Sequence, residues 1–475
     1  MTDAADLPPP LARIGTGIPG LDEVTGGGFL KSGVYILQGA PGAGKTILAN
    51  QIVHRHAAAG GNVVYVTMLA ESHARLLQHM EAFSFFSPSV LADKVYYISG
   101  FNALRDHGLK GVVDLLRTEM RAHRAGILVL DGLVMAASAA SSDEALKLFV
   151  SDIQAHSTLT GCTTLLLTSE HADRPVSAEQ TMVDGILLLR ERAFGPRRER
   201  SLEIVKFRGS STLRGNHAFV IGNEGITVYP RLEAARRWGA GATVLPVGVG
   251  TGIAGLDRMF DIGGYGKGTV TAISGVSGSG KTTLALQYAA MATAQEKTLF
   301  YGFYESPQLL ARMIEVAGIP LRAPLQAGHL QFVWNSFGEN VLDVLASQLL
   351  ERVRQSGATR VVIDGAGGFT AASSYGERGG SFLACLLGEL RALGATTLIT
   401  VEEDEGGGGR LLDTPSMSAT ADTLVQLELR RGESIRRFLS IRKSRASRHD
   451  LRVRECLLTP HGVDLAVQED TGERP

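Results

Sequence analysis

Two stretches of this chain have the residue types that grip phosphate. Gly39-Ala40-Pro41-Gly42-Ala43-Gly44-Lys45-Thr46 and Gly275-Val276-Ser277-Gly278-Ser279-Gly280-Lys281-Thr282 both read G-x-x-x-x-G-K-T. Glycines let successive backbone N–H groups curl around a phosphate chain, and the N-terminus of a following helix adds positive potential. The lysine neutralises charge on the β- and γ-phosphates, and the threonine hydroxyl faces Mg²⁺. Such a loop carries meaning only between a strand and a helix. Both copies meet that condition. The apolar runs Val34–Leu37 and Val270–Ile273 precede them, and helical patterns over Ile47–His56 and Thr283–Thr293 follow.

Carboxylates and cations complete the set. Asp131 ends the run Ile127–Leu130, and Asp364 ends Val361–Ile363. A carboxylate at the C-terminal tip of a buried parallel strand stands where ligands bind, and it suits the Mg²⁺ shell as a Walker B acid does. Hydrolysis also needs a group to orient or deprotonate water. Glu71 and Glu305 follow the next apolar runs, Val63–Thr67 and Leu299–Phe303, and are the candidates; Ser72 and Ser306 beside them leave a helix-capping role open. Glu170 and the pair Glu402-Glu403 end a further strand and are weaker candidates for sensing phosphate. Lys206 and Arg208, and again Lys443 and Arg445, sit at i, i+2 on a late strand, so each pair projects from one face. They suit a finger reaching a γ-phosphate from a neighbouring subunit.

These elements recur at a near-constant interval. Gly15-Thr16-Gly17-Ile18-Pro19-Gly20-Leu21-Asp22 returns as Gly250-Thr251-Gly252-Ile253-Ala254-Gly255-Leu256-Asp257, an offset of 235. The phosphate loops repeat at 236, Lys206/Lys443 at 237 and Asp184/Asp422 at 238. Chance motifs would not keep that order, and the period is far too long for a solenoid. The chain reads as two whole domains, 1–240 and 241–475, joined near Arg231–Gly248. Within each, continuous apolar runs alternate with helical patterns such as Lys110–His123 and Val341–Gln355, which predicts right-handed βαβ crossovers. The fold class is α/β. We expect two tandem P-loop domains, each a mostly parallel twisted sheet flanked by helices, the plan that the resemblance given below identifies as RecA-like. Leu202–Arg208 and Ala218–Tyr229 add a C-terminal antiparallel edge.

Composition sets the limits. Hydrophobic residues make up 44% of the 475 and charged residues 20%, which is globular. Lys plus Arg number 47 against 48 Asp plus Glu, so no global basic excess recommends nucleic acid or an anionic membrane. Three cysteines, Cys162, Cys385 and Cys456, form no CxxC pair, which argues against a zinc site or disulfide framework and favours a reduced cytoplasm. Neither a signal peptide nor a membrane span is expected. His54 and His56 lie two apart on a helix, share no face, and are expected at the surface. Trp238 and Trp334 are expected to pack.

The ordered set resembles the KaiC group of RecA-like ATPases. It comprises the G-T-G-I-x-G-L-D lead-in, the P-loop, the Glu-Ser after a strand, the Walker B strand, a G-x-T-T-L strand and a terminal K-x-R, all written twice. The resemblance covers Ile14 to about Leu465. It implies a double-ring homohexamer with ATP and Mg²⁺ at subunit interfaces and ATPase activity. In clock members it also implies Ser/Thr autokinase and phosphatase activity in the second ring. KaiA- and KaiB-like proteins or two-component sensors are the implied partners. This chain departs from the pattern in three places. The paired catalytic glutamates read Ala70-Glu71 and Tyr304-Glu305. The adjacent phosphoacceptors read Ser418-Ala419. Ala446 stands where the first copy has Gly209.

Two other readings stay open. One is a RecA-like nucleic-acid motor, suggested by ten Lys and Arg between Arg430 and Arg454 and by Gly406–Gly409, with Phe438 alone there to stack a base. Subunit-interface salt links account for that stretch better. The other is a nucleotide-locked scaffold with little turnover, suggested by Ala70 and Tyr304.

Overall fold

The computed structural model describes residues 12–68, 73–169, 178–235, 247–336, 338, 340–403 and 420–466. The chain divides into two compact units, Met1–Ala235 and Arg236–Pro475. A boundary at 240/241 falls outside the described residues and stands as our proposal.

The first unit is built on one sheet of nine strands. They are β1 (Val34–Gly39), β2 (Val63–Thr67), β3 (Val95–Ser99), β4 (Ile127–Asp131), β5 (Thr163–Thr168), β6 (Gly185–Phe194), β7 (Arg197–Phe207), β8 (Asn216–Gly222) and β9 (Gly225–Tyr229). Their order across the sheet is β9-β8-β7-β6-β1-β5-β4-β2-β3. The strands from β6 to β3 run parallel; β7, β8 and β9 add an antiparallel edge. Successive side chains on a strand face opposite ways. Tyr35, Leu37, Tyr65 and Val129 therefore join one core cluster, and Val34, Ile36, Val64 and Leu128 join the other. Helix α1 (Lys45–Ala58) covers the first face with Leu48 and Ile52. Helices α2 (Phe101–Ala122) and α3 (Asp143–Thr160) cover the second with Val112, Leu116, Phe149 and Ile153. Both sheet faces are dry, which is why the strands read as unbroken apolar runs.

The second unit repeats the plan. Its strands are β10 (Val270–Gly275), β11 (Thr298–Gly302), β12 (Leu330–Trp334), β13 (Arg360–Asp364), β14 (Thr396–Glu402), β15 (Thr423–Arg431), β16 (Ile435–Ser444), β17 (Arg454–Thr459) and β18 (Gly462–Leu465). They follow the order β12-β11-β13-β14-β10-β15-β16-β17-β18, with helices α4 (Lys281–Ala290), α5 (Leu342–Ser356) and α6 (Arg378–Ala392) against them. β1 and β4 carry the phosphate loop and the aspartate at their C-terminal tips with β5 between them, and β10 and β13 with β14 between them repeat the arrangement.

Two side-chain expectations are corrected. His54 is 2% exposed, not at the surface. The segment after Met80 folds over α1, so the Phe85 and Phe86 rings pack at a tilt against the imidazole and the Ser87 N–H donates to its Nδ1 at 3.3 Å. Trp334 is 42% exposed, not packed, because it ends β12 at the edge of the sheet. Trp238 lies outside the described residues. No helix among them is long and apolar enough to cross a membrane.

Candidate active site

Each phosphate loop is shaped by its last glycine. Gly44 has φ of 100° and Gly280 φ of 104°, a left-handed turn that strains any residue with a Cβ. That turn starts α1 and α4 with no side chain capping either N-terminus. The unsatisfied N–H groups and the positive end of the dipole thus face the loop, which suits an anion. Gly39, Ala40, Pro41, Gly42 and Ala43 in the first copy, and Gly275, Val276, Ser277, Gly278 and Ser279 in the second, form the rest of the cradle. Lys45 Nζ donates to the carbonyls of Gly39 and Ala40 at 2.7 and 3.0 Å. Lys281 Nζ does the same to Gly275 and Val276 at 2.8 and 2.9 Å. Both ammonium groups therefore lie curled over their loops.

The threonine and the distant aspartate meet. Thr46 Oγ1 lies 3.4 Å from Asp131 Oδ2, and Thr282 Oγ1 lies 3.4 Å from Asp364 Oδ1. Their separations in sequence are 85 and 82 residues. The pairing fits Mg²⁺. Hydroxyl and carboxylate oxygens are the hard donors it prefers, and Asp364 Oδ2 is buried without a hydrogen-bond partner among the described residues. Burial pushes the Asp364 carboxyl above its usual range, and hydrogen bonds from Thr400 and Thr282 pull the other way. Burial lowers Lys45 and Lys281, and Asp131 beside the first and the carboxylates led by Glu402 and Asp364 around the second oppose the shift.

In the second unit these groups border a cavity of about 450 Å³. Lys281, Thr282, Glu305, Asp364, Glu402 and Arg437 line it. Burial raises the Glu305 carboxyl, and the Asp364 charge adds to that. Glu305 thus stands beside the candidate metal and phosphate groups, as a water-orienting residue must. Tyr304, also on the wall, presses its ring against Gly365 and Gly367. Glu71, Glu170, Gly406–Gly409 and Ser418 lie outside the described residues.

The late-strand cations show a feature that spacing alone hides. Pairing of β6 with β7 skips Val205, because Ile186 faces Lys206 while Leu187 faces Ile204. Pairing of β15 with β16 likewise skips Arg442. A bulge therefore sits immediately before Lys206 and before Lys443. Bulges bend a strand and re-aim its side chains. Lys206 Nζ donates to the carbonyls of Gln180 and Thr181, and Lys443 Nζ to that of Ala421. Arg208 lies 3.9 Å from Asp184 with its side chain 58% exposed, and the Arg445 N–H donates to the Asp422 carbonyl.

The description "ATPase: KaiC" belongs to a family model that matches residues 14–233 and again 249–470. The chain belongs to the KaiC ATPase family. It is similar to "Circadian clock protein KaiC2" of Synechocystis sp., 26% identical over 471 residues, which covers 96% of this chain and 81% of that one. It is also similar to "Circadian clock oscillator protein KaiC" of Parasynechococcus marenigrum, 25% identical, with 97% of this chain and 92% of the relative aligned. The protein of that name in Prochlorococcus marinus is 23% identical, with coverage of 97% and 94%.

Within this KaiC-family chain several site residues escaped the motifs. Tyr65 and Thr400 hold the two aspartates. Arg437 Nε approaches the Gly278 carbonyl at 3.3 Å, an arginine that only the fold brings to the phosphate loop. Asp184 and Asp422 accept from the N–H groups of Val34 and Val270, both at 2.9 Å, and so anchor the start of each P-loop strand. Their recurrence was the one signal available. The basic stretch is largely paired within its own unit: Arg452 and Arg454 with Asp450, and Arg436 with Glu455. Arg430 lies over the Phe438 ring at 4.3 Å, covering the aromatic a nucleic-acid base would need.

Proposed function

We propose that this chain binds ATP with Mg²⁺ at both phosphate loops, hydrolyses it, and works as a homohexameric switch whose partner binding follows its nucleotide state. One observation carries the reading. A hydroxyl and a carboxylate more than eighty residues apart meet beneath an uncapped helix N-terminus, and the meeting occurs twice. The backbone of each loop, with Lys45 or Lys281, would bind the phosphates. Thr46 with Asp131, and Thr282 with Asp364, would hold Mg²⁺, which when bound draws charge from the phosphate oxygens. Glu71 and Glu305 would orient or deprotonate water.

Lys206 and Arg208, with Lys443 and Arg445, would act on ATP held by the adjoining subunit. The relatives are named circadian clock proteins. A clock-type signalling role, with KaiB-like or two-component partners in the cytoplasm, is our extension from those names. Serine autokinase activity at Ser418 is part of the same proposal.

Incubation of purified chain with Mg²⁺ and ATP, followed by native mass, phosphate release and phosphosite mapping, tests it. A six-subunit particle that releases phosphate supports the switch, and phosphate on Ser418 adds the autokinase. Lys45→Ala and Lys281→Ala should each cut bound nucleotide from two per chain to one. Failure to oligomerise or to bind ATP overturns the proposal.

A further inference from the structure

The two candidate metal aspartates are held by different partners. In the first unit the Tyr65 hydroxyl donates to Asp131 Oδ2 at 2.9 Å. Strand register makes Phe300 its counterpart, since Tyr65 pairs with Val129 and Phe300 with Val362, each two residues before the aspartate. Phenylalanine has no hydroxyl to give. There, Thr400 Oγ1 donates to Asp364 Oδ1 at 2.6 Å. Thr400 follows Ile399, the partner of Ile363, so it stands beside Asp364 on the opposite flanking strand. The first unit has Leu167 at that place, paired with Asp131. Besides its P-loop threonine, each aspartate takes a hydroxyl from a flanking strand, and the strand that supplies it is exchanged.

In both units another donor decides where that hydroxyl sends its single proton. Asn50 Nδ2 donates to the Thr46 carbonyl at 2.8 Å and to Tyr65 Oη at 3.4 Å. The Tyr97 hydroxyl donates to Asn50 Oδ1 at 2.8 Å, which fixes the amide's orientation. With a lone pair of Tyr65 occupied in this way, its O–H turns to Asp131. Thr400 Oγ1 accepts from the Gly365 N–H at 2.8 Å, with the same result for Asp364. Among the described residues the second unit has no counterpart of the side-chain network. Phe332 pairs with Phe300 as Tyr97 pairs with Tyr65, and Leu286 stands where the P-loop offset places Asn50.

We propose that Tyr65 and Thr400 are positioning residues for Mg²⁺ binding. In the first unit a buried network, Tyr97–Asn50–Tyr65–Asp131, ties the metal site to the edge strand β3; in the second the hold is local. This rests on the nucleotide chemistry proposed above. A carboxylate pinned through one oxygen presents its ligand geometry without reorganising, and loss of such a pin commonly weakens metal affinity by about 10- to 100-fold. The two units already contain each other's solution: Phe300 and Thr400 are buried at the places equivalent to Tyr65 and Leu167.

The test is a magnesium titration of fluorescent-ATP binding, not of turnover, on full-length chain carrying Lys281→Ala so that the first site alone is read. Tyr65→Phe should raise the Mg²⁺ needed for half-maximal binding about tenfold. Affinity in EDTA should barely move, while the nucleotide-free chain stays folded with a modest loss of melting temperature from the buried hydrogen bonds removed. Tyr97→Phe, acting through Asn50, should cause a smaller rise in the same direction. Adding Leu167→Thr to Tyr65→Phe should restore most of the affinity. In the Lys45→Ala chain, Thr400→Val should raise the requirement at the second site similarly.

An unchanged Mg²⁺ requirement in Tyr65→Phe and Thr400→Val, or an equal loss in EDTA, overturns the positioning role. A double variant as weak as Tyr65→Phe overturns the exchange of flanks. A parent chain that binds no nucleotide overturns the proposed function and this inference together; a binding parent with an indifferent Tyr65→Phe overturns this inference alone.

Discussion

The guanidinium of Arg378 forks onto the carboxylate of Asp343 at 3.0 and 2.7 Å, joining the start of α6 to the first turn of α5. The Asp343 side chain is only 3% exposed. Removing the cation takes a compensating charge and two hydrogen bonds from a buried carboxylate. Arg378→Ala should therefore destabilise the second unit by about 3–5 kcal/mol, measured by urea unfolding. Arg378→Met combined with Asp343→Leu should recover most of the loss, because no buried charge then remains. Equal stability of Arg378→Ala and the parent would refute the argument.

If Glu305 takes the proton of the attacking water, as proposed, it must first be ionised. Its carboxyl is held above the ordinary glutamate value by burial and by Asp364. The acid limb of second-site ATP hydrolysis, read in the Lys45→Ala chain, should therefore lie at higher pH than a solvated glutamate allows. Glu305→Gln should cut that turnover by about 100-fold or more while ATP still binds. The linkage sign is opposite to that of a salt-bridged acid. The folded state holds the proton more tightly, so this group favours folding as pH falls through its raised pKa. Glu305→Gln should accordingly melt no lower than the parent at neutral pH.

His54 carries a pH dependence of its own. Burial pushes its imidazole down from 6.5 to about 4. The unfolded chain takes up a proton below about pH 6.5 that the folded chain refuses. Stability from this group is therefore complete above that pH and is lost as pH falls toward 4, by an amount on the order of 2–3 kcal/mol. Thermal melts across that window should show a steeper acid slope for the parent than for His54→Leu. Parallel slopes would exclude the effect.

Arg208 projects beyond the bulge at Val205 with its side chain largely in solvent. If it serves a neighbouring subunit's ATP, Arg208→Ala should leave the melting temperature within about 1 °C of the parent, as exposed positions do. First-site turnover should drop at least tenfold. Mixing Arg208→Ala chains with Lys45→Ala chains, both in the Lys281→Ala background, should restore part of that activity, since some interfaces then hold an intact loop and an intact arginine. No gain on mixing would place the action of Arg208 within its own subunit.

Much of this architecture was legible before any coordinates. The phosphate loops, the aspartates ending apolar runs and the duplication are local or periodic signals. A loop needs its own glycines, and a strand dry on both faces needs consecutive apolar residues, so both are written where they act. The sheet order was beyond that reach, and it decides which flanking strand stands beside each aspartate. For that reason Tyr65 and Thr400, ordinary in sequence, became visible only as neighbours of Asp131 and Asp364.

The bulges before Lys206 and Lys443 are a property of two strands paired together, and neither strand shows them alone. His54 was misjudged because helical period tells which residues share a face of α1, not that Phe85 and Phe86 return to cover one of them. Chain chemistry along the sequence set what each segment can be; contacts between segments far apart in the chain set which groups meet, because hydrogen bonds and burial depend on distance in space.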